Sequence, residues 1–145
     1  MYKRFKILLV LSLLIVYQLP AQKINIVIEG LRNNKGQVIL NFYSNSKTFD
    51  KEEPEYTFIY PKSNSTNGKM IIETLQLPPG TYGIALIDDE NSNGKLDFRL
   101  MIPREGFAFS NHPFTKHRKP DFEAFSFEHS NNSYVHFEVY YFGSE

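Results

Sequence analysis

Apolar residues recur at every second position along most of this chain, a period that fits half-buried strands and excludes long amphipathic helices. Ile24, Ile26 and Ile28 alternate with Lys23, Asn25 and Glu29, and Gly30 ends the run. Val38, Leu40 and Phe42 alternate with Gln37, Ile39 and Asn41, after a turn at Asn33-Asn34-Lys35-Gly36. The spacing predicts a hairpin from these two runs. Further strands are expected at 56–60, 69–77 and 82–87, a short one at 96–98, and closing strands at 122–127 and 134–142. The polar stretch 44–55, with a lone Phe49, reads as a loop or short helical turn. Residues 99–120 read as a long connection holding His112, His117, five basic residues and Phe107, Phe109 and Phe114. The expected fold is all-β: a single antiparallel β-sandwich of about seven strands with Greek-key connections, a closed barrel being the alternative. No cysteine is present, so the core must hold the fold without disulfides, and 13 Phe and 9 Tyr supply the apolar area.

The first 21 residues read differently. Lys3, Arg4 and Lys6 precede an apolar run from Ile7 to Val16, broken only by Ser12, and Pro20 and Ala21 follow. That run of about ten residues suits the core of a cleavable signal peptide, whereas a spanning helix needs about twenty. The mature chain is expected to be one domain, 22–145, exported to the periplasm or secreted. With no cysteine after the apolar run, a lipoprotein anchor is excluded, and no transmembrane segment is expected in the mature part. Loss of the three N-terminal cations leaves 13 basic residues against 16 acids, which disfavours nucleic acid and anionic membrane as partners.

Several segments read in order carry a family resemblance. They are Gly30-Leu31-Arg32-Asn33 with Lys35-Gly36-Gln37-Val38, then Leu77-Pro78-Pro79-Gly80-Thr81-Tyr82, then the acidic stretch from Asp89 to Asp97. Ile102 to Asn111 and Pro120 to Phe127 complete the set. Together they resemble the exported bacterial family called domain of unknown function 2141. The resemblance implies a signal-bearing envelope or secreted β-domain and brings no catalytic residues with it. One departure stands at Ile87-Asp88, where the family more often has a His before the acidic loop. The Leu77–Tyr82 run is also similar to the corner of prealbumin-like and carboxypeptidase-regulatory-like β-sandwiches.

The acidic stretch is the candidate site for chemistry. Counted from Asp89, oxygen-bearing side chains fall at positions 1, 3, 5 and 9 (Asp89, Asn91, Asn93, Asp97), with Gly94 at position 6 and the Lys95 carbonyl available at 7. That spacing wraps oxygens round one point, as a calcium loop does. Leu100 at position 12 leaves out the usual bidentate Glu. The competing reading is an ion-free hairpin turn at Asn93-Gly94. His112, His117, His129 and His136 match no metal-ligand spacing, Ser110 lacks a nucleophile-elbow frame, and nothing ties Glu105 to Asp97 as an acid–base pair. Phe107, Phe109 and Phe114 are expected to cap the sandwich, or with Arg104, Lys116 and Arg118 to line a groove. The expected function is a non-enzymatic binding or scaffolding module at the cell envelope, with an envelope protein or a carbohydrate as partner and a calcium loop at 89–97. The alternative is a small hydrolase or metal-dependent enzyme using residues 88–120.

Overall fold

The computed structural model describes residues 22–115 and 118–143, without the side chain of Thr74. The expected export signal therefore lies outside the described residues, as do Lys116 and His117.

The described residues build ten strands, β1 (Gln22–Glu29), β2 (Gln37–Tyr43), β3 (Tyr56–Pro61), β4 (Met70–Leu77), β5 (Gly80–Asp89), β6 (Phe98–Arg99), β7 (Ile102–Pro103), β8 (Gly106–Phe109), β9 (Ser126–His129) and β10 (Ser133–Glu138). Two short helices, α1 (Ser46–Asp50) and α2 (Phe122–Phe125), and a 3-10 turn, Lys62–Asn64, complete it. The fold is all-β, as expected. One sheet runs β10-β1-β4 and a second runs β3-β2-β5-β8, with β9 also paired to β5; β6 and β7 form a separate hairpin. No helix among the described residues is long and apolar enough to cross a membrane.

The two larger sheets share one buried cluster. Ile24, Ile26 and Ile28 from β1, with Val135 and Phe137 from β10, meet Val38, Leu40 and Phe42 from β2 and Ile84 and Leu86 from β5. A second cluster covers the opposite face of the larger sheet. Tyr43, Phe107 and Phe109 pack there beneath Phe49 of α1 and Phe122 and Phe125 of α2. Phe49 and Phe125 meet edge to face at 4.8 Å, the geometry that the aromatic quadrupole favours.

Several expectations change. The hairpin expected from β1 and β2 does not form: β1 pairs with β4 and β10, while β2 pairs with β3 and β5. The burial patterns explain the split. β1 hides only every second residue, as a strand with one covered face does, whereas β2 buries Ile39 and Tyr43 as well as its core face. The β1–β10 pair is parallel, within an otherwise antiparallel arrangement. Residues 122–127 are not one strand; α2 comes first, and its three-residue spacing puts Phe122 and Phe125 together in the second cluster. The connection 99–120 contains β8, whose four residues are all buried. Phe107 and Phe109 thus lie within a sheet, with Phe114 packed against their cluster. The turn expected in 44–55 is α1, capped by Asn45, whose side chain accepts from Thr48 N at 3.0 Å.

Candidate functional site around Asp88 and the acidic loop

Asp88 lies in phase with Tyr82, Ile84 and Leu86 on β5, so the period-two pattern aims a carboxylate into the core. A buried carboxylate needs a partner. Lys62, in the turn after β3, forms a fully buried ion pair with it, and the Tyr141 hydroxyl donates to its other oxygen. Lys62 Nζ also donates to Asn33 Oδ1 at 3.1 Å. Burial raises the Asp88 pKa, against the lowering effect of Lys62 and Tyr141. The Tyr141 phenol is pushed far above the usual tyrosine range by burial, then by Asp88.

A second set of contacts surrounds this pair. Arg32 grips Glu90 through two bonds of 2.7 and 2.6 Å, and its guanidinium lies 4.5 Å from the Tyr141 ring centre. Asn33 Nδ2 donates to Glu90 at 2.6 Å. The Arg32 contact, foremost, holds the Glu90 carboxyl below its usual range. Buried Glu105 accepts the backbone N–H groups of Glu90 and Asp97 at 2.9 and 3.1 Å. Glu105 and Asp97 are therefore neighbours, joined through a backbone donor rather than as two facing carboxyls.

The acidic loop folds around its own side chains. Asp89 is buried and accepts from Asn93 N at 3.0 Å, Gly94 N at 2.8 Å and Gln37 Nε2 at 2.8 Å. Asn91 Oδ1 takes Asn93 N at 3.0 Å, and Asn93 Oδ1 takes Lys95 N at 3.1 Å. Both carboxamides donate to Asp97 Oδ2, at 2.7 and 2.8 Å, which holds the Asp97 carboxyl below its usual range. Gly94 supplies the turn at φ 84°. The loop thus brings Asp89, Asn91, Asn93, Lys95 and Asp97 together. Leu100 stands apart from it, at the tip of the β6–β7 hairpin. Among the described residues no group of three or more His, Cys, Asp or Glu gathers around one point.

The other candidates are dispersed. His129 is buried and bonds Ser133 Oγ at 2.6 Å, and His136 meets Glu29 at 3.0 Å on the surface. Ser110 is buried, donating to Phe125 O at 2.7 Å and accepting from Ile84 N at 2.9 Å, so it pins α2 to the sheet. Sequence reasoning missed Lys62 and Tyr141. The available signal was an acid in register with the core residues of β5, which demands a cation somewhere.

The family model described as "Uncharacterized protein conserved in bacteria (DUF2141)" matches residues 26–136. The match runs from the second half of β1 into β10 and includes the whole acidic loop. No curated protein and no solved structure matches. The likeness of the Leu77–Tyr82 corner to prealbumin-like sandwiches accordingly rests on that run alone.

Proposed function

The chain belongs to the DUF2141 family of bacterial proteins, and from its own residues we propose an exported, non-enzymatic β-domain that binds or scaffolds at the cell envelope. One observation carries this reading. Asp88, Asp89, Glu90, Asp97 and Glu105 each accept hydrogen bonds or an ion pair from their own chain. A general base needs a lone pair aimed at a substrate proton. Carboxylates spent on holding loops in place support presentation of a surface over hydrolysis in the 88–120 region.

The same reading includes a weak calcium site at Asp89, Asn91, Asn93, Lys95 and Asp97. The donors are all oxygen, which suits a hard cation. An ion shared by these residues has to replace the two carboxamide N–H groups now donated to Asp97, so its net gain is small. The envelope partner on this reading is a protein or a carbohydrate.

Cell fractionation, with the intact mass of the recovered protein, tests the proposal. A species beginning near Gln22 and sedimenting with envelope material is expected. An unprocessed chain in the cytoplasm, or a processed one wholly in the free soluble fraction, overturns it.

A further inference from the structure

The β6–β7 hairpin carries its most apolar residues at its most exposed point. Leu100 is 88% and Met101 93% exposed, and Phe98 and Ile102 beside them are exposed as well. Leu100 and Met101 form the two-residue turn between paired Arg99 and Ile102, with φ of 50° and 66°. A two-residue turn with both φ values positive favours Asn-Gly, and bulky side chains there are strained. Core packing does not explain their presence, because neither side chain is in the core.

Cationic groups flank the tip. An open groove of about 410 Å³ is lined by Arg32, Arg99 and Arg104 together with Leu100, Ile102 and Phe142. Arg32 is occupied by Glu90. The Arg99 and Arg104 side chains make no ion pair among the described residues, although Asp97 lies within electrostatic range of Arg104. The base of the hairpin is fixed, since Arg104 N donates to Asp97 O at 2.8 Å and Glu105 holds Asp97 N.

We propose that this hairpin docks the protein on an anionic phospholipid surface, with Leu100 and Met101 entering the headgroup–acyl boundary and Arg99 and Arg104 meeting lipid phosphates. A narrow two-residue tip suits insertion between lipid headgroups, where a flat protein partner would leave its sides uncovered. Guanidinium groups pair well with phosphate oxygens, and aromatic Phe98 suits the interfacial level. The overall charge balance disfavours an anionic membrane, but the local balance at the tip is reversed. The proposal adds the membrane surface to the partners of the envelope-binding reading and rests on its envelope location.

The chain contains no tryptophan, so Met101→Trp places a single reporter at the tip. The full chain carrying it is mixed with phosphatidylglycerol–phosphatidylethanolamine vesicles, with phosphatidylcholine vesicles, or with none. With the anionic vesicles, the emission should shift to the blue and be quenched by brominated acyl chains. Phosphatidylcholine alone, or Arg99→Glu/Arg104→Glu in the same background, should abolish the shift. Leu100→Ser should weaken the titration about tenfold, the worth of one partly buried apolar side chain. Circular dichroism melts confirm that each variant is folded. A reporter indole that stays water-exposed while the protein sediments with vesicles assigns attachment elsewhere, residues 1–21 included, and overturns the proposal. A blue shift that grows with protein concentration in the absence of lipid assigns the tip to a second copy and overturns it too. The vesicles require no export, so this assay and the fractionation fail independently.

Discussion

Lys62 and Asp88 form an ion pair from which solvent is wholly excluded, both side chains being 0% exposed, and Tyr141 closes the other side of the carboxylate. Desolvating two charges offsets most of their attraction, so the pair adds little over an apolar pair of the same size. Breaking it is another matter. Lys62→Met should destabilise the fold by about 3–5 kcal/mol, because it strands a buried carboxylate. The double variant Lys62→Met/Asp88→Leu should recover most of that loss. Tyr141→Phe should cost about 1–3 kcal/mol through the donor that Asp88 loses. Urea midpoints at constant m-value measure all three. A Lys62→Met variant within about 1 kcal/mol of wild type would show that the charge is not truly buried.

Glu90 and Asp88 give opposite signs of pH dependence. The Glu90 pKa lies below its ordinary 4.5, chiefly through Arg32, so the folded state releases this proton more readily than the unfolded chain. Its contribution to stability is present above the unfolded value and is lost as the pH falls through the folded one. Asp88 is raised above 3.8 by burial, so its contribution is present below the unfolded value and is lost as the pH rises through the folded one. Glu90→Gln should therefore flatten the acid limb of the stability curve, with melting temperatures falling less steeply than wild type between about pH 5 and 3. Parallel curves for the two proteins would remove Glu90 as a contributor.

The strands were legible in the sequence because Ile24-Ile26-Ile28 and Val38-Leu40-Phe42 show which side chains turn inward. Their partners were not, because period two is the same whatever lies alongside. Only the structure shows that β1 joins β4 and β10 rather than β2. Residues 122–127 misled for a related reason: Phe125 and Phe127 alternate with Ser126 as in a strand, yet the three-residue spacing of Phe122 and Phe125 fits a helical turn under Phe49. The acidic loop was visible as a motif because its contacts are local. The Lys62–Asp88 pair joins residues far apart in sequence, and only the phase of Asp88 on β5 hinted at it.

Calcium should stabilise the protein weakly. Only Asp89 and Asp97 are carboxylates at ligand positions, and position 12 is Leu100, so affinity on the order of 10⁻⁴ to 10⁻³ M is expected, as in extracellular modules. At ten times the dissociation constant the ion contributes about 1.4 kcal/mol, roughly 3–6 °C in melting temperature for a domain of this size. Magnesium should do less, because it gives up its water reluctantly. Melts in EDTA, calcium and magnesium, on wild type and Asp89→Ala, decide the matter. No calcium-specific shift in wild type leaves the loop as a hydrogen-bonded turn, and a shift that survives Asp89→Ala places the ion elsewhere.

Gly83 sets how closely α2 approaches the larger sheet. A Cβ at this position would lie 2.6 Å from Phe125 Cε2 and 2.7 Å from Phe122 Cε2, both in buried rings. Neither ring can step aside freely. Phe125 packs on Phe49 and Phe109, and its carbonyl is held by Ser110, which also receives Ile84 N. Gly83→Ala should therefore lift α2 from the sheet and cost about 1–3 kcal/mol, the range for overpacking a tight core. Gly94→Ala provides the contrast: its Cβ would meet nothing within 4 Å, and only its φ of +84° resists the change, for about 1 kcal/mol. Shrinking one ring separates strain from crowding. In Gly83→Ala/Phe122→Leu one of the two close contacts is relieved while Phe125 remains, so the pair should be more stable than the sum of the two single changes predicts. Urea unfolding of the four proteins, with near-ultraviolet circular dichroism to follow the aromatic cluster, measures that coupling. Strict additivity would mean that α2 is not seated on Gly83.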